Sequence, residues 1–201
     1  MTHERFATFV PGAAGLGSFW SPVLERLPRT WRTQLLDLPG LGPVPSNPTV
    51  SSYDDLVDYV ARTIATPTIL VGQSMGAFIS LQLALRYPHL VTHLVLVALT
   101  GGVNLRAHGA SEWRDDYSTS YPNAAAWAPD EVPDLSERLG AITIPVLLFW
   151  ATQDVLSPIS VARTLSSRLP RARMVTVESD DHWVARQYPK ALAKAITSLI
   201  E

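Results

Sequence analysis

A glycine-flanked serine between a strand pattern and a helix pattern, Gly72-Gln73-Ser74-Met75-Gly76, restricts this chain to few folds. Thr68-Ile69-Leu70-Val71 is short, β-branched and preceded by Pro67, as expected of a buried strand. From Ala77 to Tyr87 apolar residues recur at helical spacing, and Pro88 stops the run. Strand, Gly-x-Ser-x-Gly, helix is the pattern of a nucleophile elbow. The chain turns so sharply there that the serine is held in a strained backbone conformation with its hydroxyl exposed, and small residues two positions either side avoid a clash. The same five residues also fit a glycine-punctuated turn with a serine cap. The rest of the chain has to decide between the two.

Apolar or β-branched runs recur at Phe6–Val10, Thr33–Leu36, Thr68–Val71, Leu94–Ala98, Val146–Phe149 and Arg173–Val177. Helical patterns lie between or after them at Phe19–Leu27, Tyr53–Ile64, Ala77–Arg86, Ile159–Leu169 and Ala185–Ile200. Strand alternating with helix predicts parallel crossovers and a doubly wound α/β sheet. Ser51 with Asp54 fits a capping box, and Ser157 before Pro158 fits an N-cap with proline in the first turn. From about Thr100 to Leu139 no strand pattern occurs, and Trp113, Tyr117, Tyr121 and Trp127 fall there. A connection that long is usually a functional lid or disordered, and its aromatic content predicts an ordered lid. The expected organisation is one domain over residues 1–201 with a lid insertion at about 100–139.

Composition narrows the function classes. With 201 residues, 47% of them apolar, and a formal charge of −2, the chain can bury one sizeable core. It carries no electrostatic footprint for nucleic acid: lysine is confined to Lys190 and Lys194, and the arginines are scattered. The absence of cysteine excludes disulfides, thiol catalysis and cysteine-based metal sites. Met1-Thr2-His3-Glu4-Arg5 shows no charged head leading into an apolar stretch, and Leu94–Leu99, the longest apolar run, cannot span a bilayer. A cytoplasmic protein without membrane contact is the expectation.

A serine hydroxyl is a poor nucleophile until a base takes its proton, and the base needs an acid to hold its tautomer. Both should stand past strand ends, on the rim where Ser74 sits. His3 lies in the amino-terminal tail, His89 and His93 at the opposite edge of the sheet, and His108 in the lid segment. Only His182 follows the last strand, which makes it the expected base. Asp154 follows Val146-Leu147-Leu148-Phe149-Trp150 and precedes a helix, so it is the expected acid. Asp180 and Asp181 are too close in sequence to reach the far ring nitrogen, and Asp37 is expected to brace its own loop. Negative charge developing on a carbonyl oxygen needs backbone N–H donors. Met75 follows the nucleophile, and Ala13 lies in the small-residue loop Val10-Pro11-Gly12-Ala13-Ala14-Gly15-Leu16-Gly17-Ser18; these two are the expected donors. The glycine spacing of that loop misses the dinucleotide fingerprint, and no lysine follows for a phosphate loop.

With these segments in place, the chain resembles the α/β-hydrolase superfamily over nearly its whole length, its small carboxylesterases in particular. The elbow, Pro11-Gly12-Ala13 where many members have His-Gly-x, Asp37-Leu38-Pro39-Gly40-Leu41-Gly42, Trp150-Ala151-Thr152-Gln153-Asp154 and Asp181-His182-Trp183 carry the resemblance. The order Ser, Asp, His is also the family's. The resemblance implies an α/β-hydrolase fold with a trimmed, mostly parallel sheet of about six strands, helices on both faces and a short lid. It departs from the family at Pro11, which replaces a loop-bracing histidine, and at Asp181, where glycine is common; a carboxylate near the imidazole would favour its protonated form.

The implied chemistry is hydrolysis of a small-molecule carboxylic ester or thioester through an acyl-enzyme, with no cofactor and no metal. The same triad serves carbon–carbon bond hydrolases, perhydrolases and some lyases in this superfamily, and a non-catalytic ligand sensor is the reading from another class. Phe19, Trp20, Trp113, Tyr117, Trp127 and Trp183 are the candidate walls of an apolar acyl pocket, although packing of the core is the commoner role for any one of them. Arg106, Arg114 and Arg138 could meet a substrate carboxylate or an acyl-carrier partner, although solvated surface arginines are the commoner case.

Overall fold

A computed structural model describes residues 4–201. His3, set aside above, lies outside the described residues. Six strands form one sheet in the order β2-β1-β3-β4-β5-β6: β1 (Arg5–Val10), β2 (Trp31–Leu35), β3 (Thr68–Gln73), β4 (Val91–Val97), β5 (Val146–Ala151) and β6 (Ala172–Val177). Every pairing is parallel. The chain runs outward from β1 to β2, then crosses back to place β3 on the other side of β1. The strand order therefore reverses between β1 and β3, where open α/β sheets bind ligands at the carboxyl ends of their strands.

Period-two alternation divides the apolar residues into two cores. Leu70, Leu94, Leu96, Leu148 and Trp150 face one side, against α2 (Tyr53–Thr63), α3 (Met75–Arg86) and α5 (Ile159–Arg168). Ile69, Val71, Val95, Val97, Leu147 and Phe149 face the other, with Val184 of α6 (Val184–Gln187) and Leu192 and Ile196 of α7 (Pro189–Ile200). β3 and β5 are buried throughout, as continuous apolar runs require, whereas the edge strands β2 and β6 are partly exposed. α3 is buried on nearly all sides, which marks it as the central helix.

Local details differ from the sequence expectations for identifiable reasons. The stretch expected as a helix over Phe19–Leu27 is a 3₁₀ turn, Gly17–Trp20, followed by a single helical turn, α1 (Ser21–Leu24). The cap of α2 is Ser52, whose hydroxyl accepts from the Asp55 amide at 3.1 Å, while Asp55 reaches back to the Ser51 amide at 3.0 Å. The box expected on Ser51 and Asp54 is thus displaced by one residue. α5 has Pro158 rather than Ser157 at its cap, because the Ser157 hydroxyl donates to the Leu99 carbonyl at 2.6 Å. The final helical pattern is divided at Tyr188 (φ −121°, ψ 49°) because the residue before Pro189 is excluded from helical geometry. Between β4 and β5 no strand occurs; the segment holds α4 (Arg114–Ser120) and two 3₁₀ turns, Leu105–His108 and Ser136–Ala141.

The elbow depends on its two glycines. A Cβ on Gly72 would stand 2.3 Å from the Gly76 carbonyl oxygen, and one on Gly76 only 2.1 Å from that of Pro11. The second contact is with the main chain leaving β1, which has no side-chain freedom to yield, so it can be relieved only by moving α3 away from β1. Gly76→Ala is expected to lower the unfolding free energy by roughly 3 kcal/mol, read as a shifted midpoint in chemical denaturation.

Candidate active site

Ser74 has φ 57° and ψ −123°, a conformation that L-residues rarely adopt. This backbone lifts its side chain out of the β3–α3 corner. The Ser74 Oγ lies 2.8 Å from His182 Nε2, and His182 Nδ1 lies 2.7 Å from Asp154 Oδ2. Asp154 is buried, and its other oxygen accepts from the amides of Leu156 (2.8 Å) and Ser157 (3.1 Å). A carboxylate with one oxygen committed to two N–H groups presents the second to imidazole in a single orientation. Nδ1 must then carry the proton, and Nε2 is left as an acceptor for the Ser74 hydroxyl.

The loops holding these residues are fastened to one another. Thr152 and Gln153 donate to the carbonyls of Val177 and Ser179, joining the turn after β5 to the turn after β6. The buried Trp150 donates its indole N–H to the Ser157 carbonyl at 2.9 Å. The Gln73 side-chain Nε2 donates to the His182 carbonyl at 3.2 Å, so the residue before the serine also positions the histidine loop. Asp37 braces the loop after β1, accepting from the Gly17 amide at 2.8 Å. Asp181, the replacement for glycine, accepts from the Trp183 amide at 2.7 Å. Met75 opens α3, so its N–H has no intrahelical acceptor. In the loop after β1 the Gly15 amide closes a turn onto the Gly12 carbonyl at 2.9 Å, and Ala13 lies inside that turn.

A cavity of about 400 Å³ opens over Ser74 and His182, and Ala13, Phe19, Trp113, Tyr117 and Trp183 line it. Trp183 is 59% exposed, at the rim. Tyr117 anchors the wall, its hydroxyl accepting from the Gly42 amide at 2.9 Å. Burial raises its pKa above the usual phenol value. Two expected wall residues lie elsewhere. Trp20 is fully buried beneath the opposite face of the sheet, 5.4 Å from the Phe9 ring. The 3₁₀ turn points Phe19 to the cavity and Trp20 into the core. Trp127 packs edge-on against Tyr53 at 5.1 Å and covers Gly40, outside the cavity lining. Lining residues not among the expected walls include Gln73, Thr100, Asp116, Tyr121 and Leu156. Gln73 lies inside the motif itself, and Thr100 a few residues past the end of β4 on the rim, so position offers a signal for both.

Arg106 and Arg114 of the lid segment are engaged with other protein groups. Arg114 pairs with Glu112 at 2.8 Å, donates to the Pro129 carbonyl and stacks over Trp113. That guanidinium and nearby amides hold the Glu112 carboxyl down to about 2. Arg106 lies 2.9 Å from Glu131 and 3.8 Å from Glu112. Arg138 is exposed and absent from the cavity lining. Among the described residues no group of three or more His, Asp or Glu is arranged to hold a metal ion, and no helix is long and apolar enough to cross a membrane.

A six-stranded parallel sheet with a strained serine at its switch point defines a hydrolase of the α/β class. The chain belongs to the alpha/beta hydrolase fold family, whose model matches residues 9–126; a second model, described as TAP-like protein, matches residues 110–201. Among curated proteins it is 28% identical to a pimeloyl-[acyl-carrier protein] methyl ester esterase of Neisseria meningitidis serogroup A, over 89% of this chain and 71% of that one. It is 25% identical to a 2-hydroxy-6-oxononadienedioate/2-hydroxy-6-oxononatrienedioate hydrolase of Cupriavidus pinatubonensis, over 94% and 83% of the two chains. Among solved structures, a thermophilic esterase from Thermogutta terrifontis superposes with a TM-score of 0.76 at 18% identity, covering 98% of this chain and 89% of that one.

Proposed function

We propose that this hydrolase cleaves a small carboxylic ester or thioester through an acyl-enzyme on Ser74. The observation that carries the reading is the continuous chain Ser74 Oγ, His182 Nε2, His182 Nδ1, Asp154 Oδ2, with both links at hydrogen-bond length. His182 takes the Ser74 proton as Oγ attacks the carbonyl carbon, and Asp154 stabilises the imidazolium. The Ala13 and Met75 amides receive the oxyanion. When the tetrahedral intermediate collapses, the leaving alcohol or thiol takes the proton from Nε2. Water repeats the sequence on the acyl carbon, and Ser74 is released. The lid role belongs to residues of about 100–139, on one hydrolase domain over 1–201, because α4 and the residues flanking it bring Trp113, Tyr117 and Tyr121 to the cavity wall.

A turnover panel of acyl esters and thioesters of graded length and charge, run beside Ser74→Ala, tests the proposal. Sustained Ser74-dependent turnover supports an enzyme; tight binding without turnover would support the ligand sensor instead. The panel also reads the pocket's charge preference. The ionisable residues of the cavity lining, apart from its tyrosines, are Glu112, Asp116 and His182, and the nearby arginines are neutralised by glutamates. Glu112 is itself paired with Arg114, so Asp116 is the lining carboxylate that a carboxylate-terminated acyl group would meet, with no free cation among the lining residues to balance it. Neutral acyl esters are therefore expected to exceed isosteric carboxylate-terminated ones by roughly tenfold in kcat/KM at low salt. Equal values, or a preference for the anion, would overturn the charge argument.

A further inference from the structure

Ser74 Oγ has a second neighbour besides His182. The Thr100 hydroxyl lies 2.9 Å from it, on a residue 4% exposed. The proton inventory decides the direction of that bond. Asp154 accepts from Nδ1, so Nε2 is an acceptor and receives the single Ser74 proton. The Ser74 oxygen must then accept, and Thr100 must donate. The segment bearing Thr100 is held to make this contact. Ala98, two residues earlier, has φ 44°, a left-handed conformation that bends the chain off β4 toward the elbow. The Leu99 carbonyl accepts from the Ser157 hydroxyl at 2.6 Å, and the Thr100 amide donates to the Ser74 carbonyl at 3.3 Å.

We propose that Thr100 is a catalytic residue whose hydroxyl stabilises Ser74 Oγ as the leaving group of the acyl-enzyme. The proposal rests on the acyl-enzyme reading above. In the free enzyme the Thr100 bond is already present, so it changes little as Oγ attacks. In the acyl-enzyme Oγ is an ester oxygen, a poor acceptor, and the bond is weak. During deacylation water has added to the acyl carbon, the carbon–Oγ bond breaks and its electron pair returns to Oγ. That oxygen takes the proton from His182 Nε2, while Thr100 keeps its own proton and donates a hydrogen bond to the departing oxygen. The interaction is thus stronger in the deacylation transition state than in the state before it, which is the condition for catalysis.

The test uses p-nitrophenyl acetate with the wild type, Thr100→Val and Thr100→Ser, following acetyl-Ser74 by mass and p-nitrophenol by absorbance. Thr100→Val keeps the shape and removes the donor. It should slow acetyl-enzyme decay by about three- to tenfold, the scale of one neutral hydrogen bond, because the bond regained on cleavage is that of the free enzyme. kcat and KM should fall together, with kcat/KM nearly preserved and a larger burst. Thr100→Ser should restore the decay rate. Decay at the wild-type rate in Thr100→Val, or Thr100→Ser as slow as Thr100→Val, overturns the proposal. Should Thr100→Val not fold, Thr100→Ala is read in the same way. A wild type that forms no acetyl-Ser74 shows that the acyl-enzyme reading itself has failed, and the role of Thr100 falls with it.

Discussion

Ser74→Ala should reduce turnover of any ester that the wild type hydrolyses by a factor on the order of 10⁶, leaving only what binding and the oxyanion donors supply. The size of the effect follows from geometry. Oγ is the atom that bonds to the acyl carbon, and the described residues place no second hydroxyl against His182 Nε2; the Thr100 hydroxyl reaches Ser74, not the imidazole. The substitution leaves the elbow intact, because an alanine there has only to adopt the φ of 57° that the serine already tolerates. Unfolding midpoints of the two proteins should therefore agree closely, while acetyl-enzyme formation disappears from the mass spectrum. A variant that retained a substantial part of the wild-type rate would place the nucleophile elsewhere.

Asp154→Asn should lower kcat by about 10⁴. Asp154 Oδ1 accepts from the Leu156 and Ser157 amides, so the asparagine oxygen is retained at that position and its NH₂ group is turned to His182. Facing a donor, Nδ1 must become the acceptor, and the ring proton moves to Nε2. The nitrogen 2.8 Å from Ser74 then donates where it should accept, and no base remains. The loop keeps its two backbone hydrogen bonds, which separates this loss from unfolding. The comparison to make is single-turnover acylation in the two proteins: a catalytic rate within tenfold of the wild type would remove Asp154 from the mechanism.

The parts of this site that can be read from the sequence are those that follow from local chain order. Ser74, Asp154 and His182 each stand in the loop that follows a strand pattern, and a strand end on the rim of a parallel sheet is a position that sequence alone can define. Which sheet face a neighbouring side chain takes is another matter. Phe19 and Trp20 are adjacent and both aromatic, yet one lines the cavity and the other is sealed under the opposite face. That division depends on the rotation per residue of a 3₁₀ turn that the apolar pattern presents as a longer helix. Trp127 departs from its expected place for a related reason: the 100–139 segment has no period to orient its side chains, and the Tyr53 edge captures the ring. The α2 cap differs by one residue because Ser51 and Ser52 are chemically equivalent neighbours, whereas at α5 a tertiary contact, the Leu99 carbonyl, withdraws the Ser157 hydroxyl from capping. Thr100 carries a positional signal but no motif, and its partner is 26 residues away in sequence.

The position of β6 has one more consequence. It is the outermost strand on its side of the sheet, partly exposed along its length, and His182 hangs from the turn beyond it. The nucleophile, by contrast, emerges from β3, a fully buried strand. Edge elements are the first to open in local fluctuations, whereas interior strands open only with the whole molecule. Proton transfer is therefore tied to an edge strand and bond formation to a buried interior one. A brief detachment of the carboxy-terminal edge would silence the molecule while leaving its interior folded, so that chemical competence lapses before conformational integrity does.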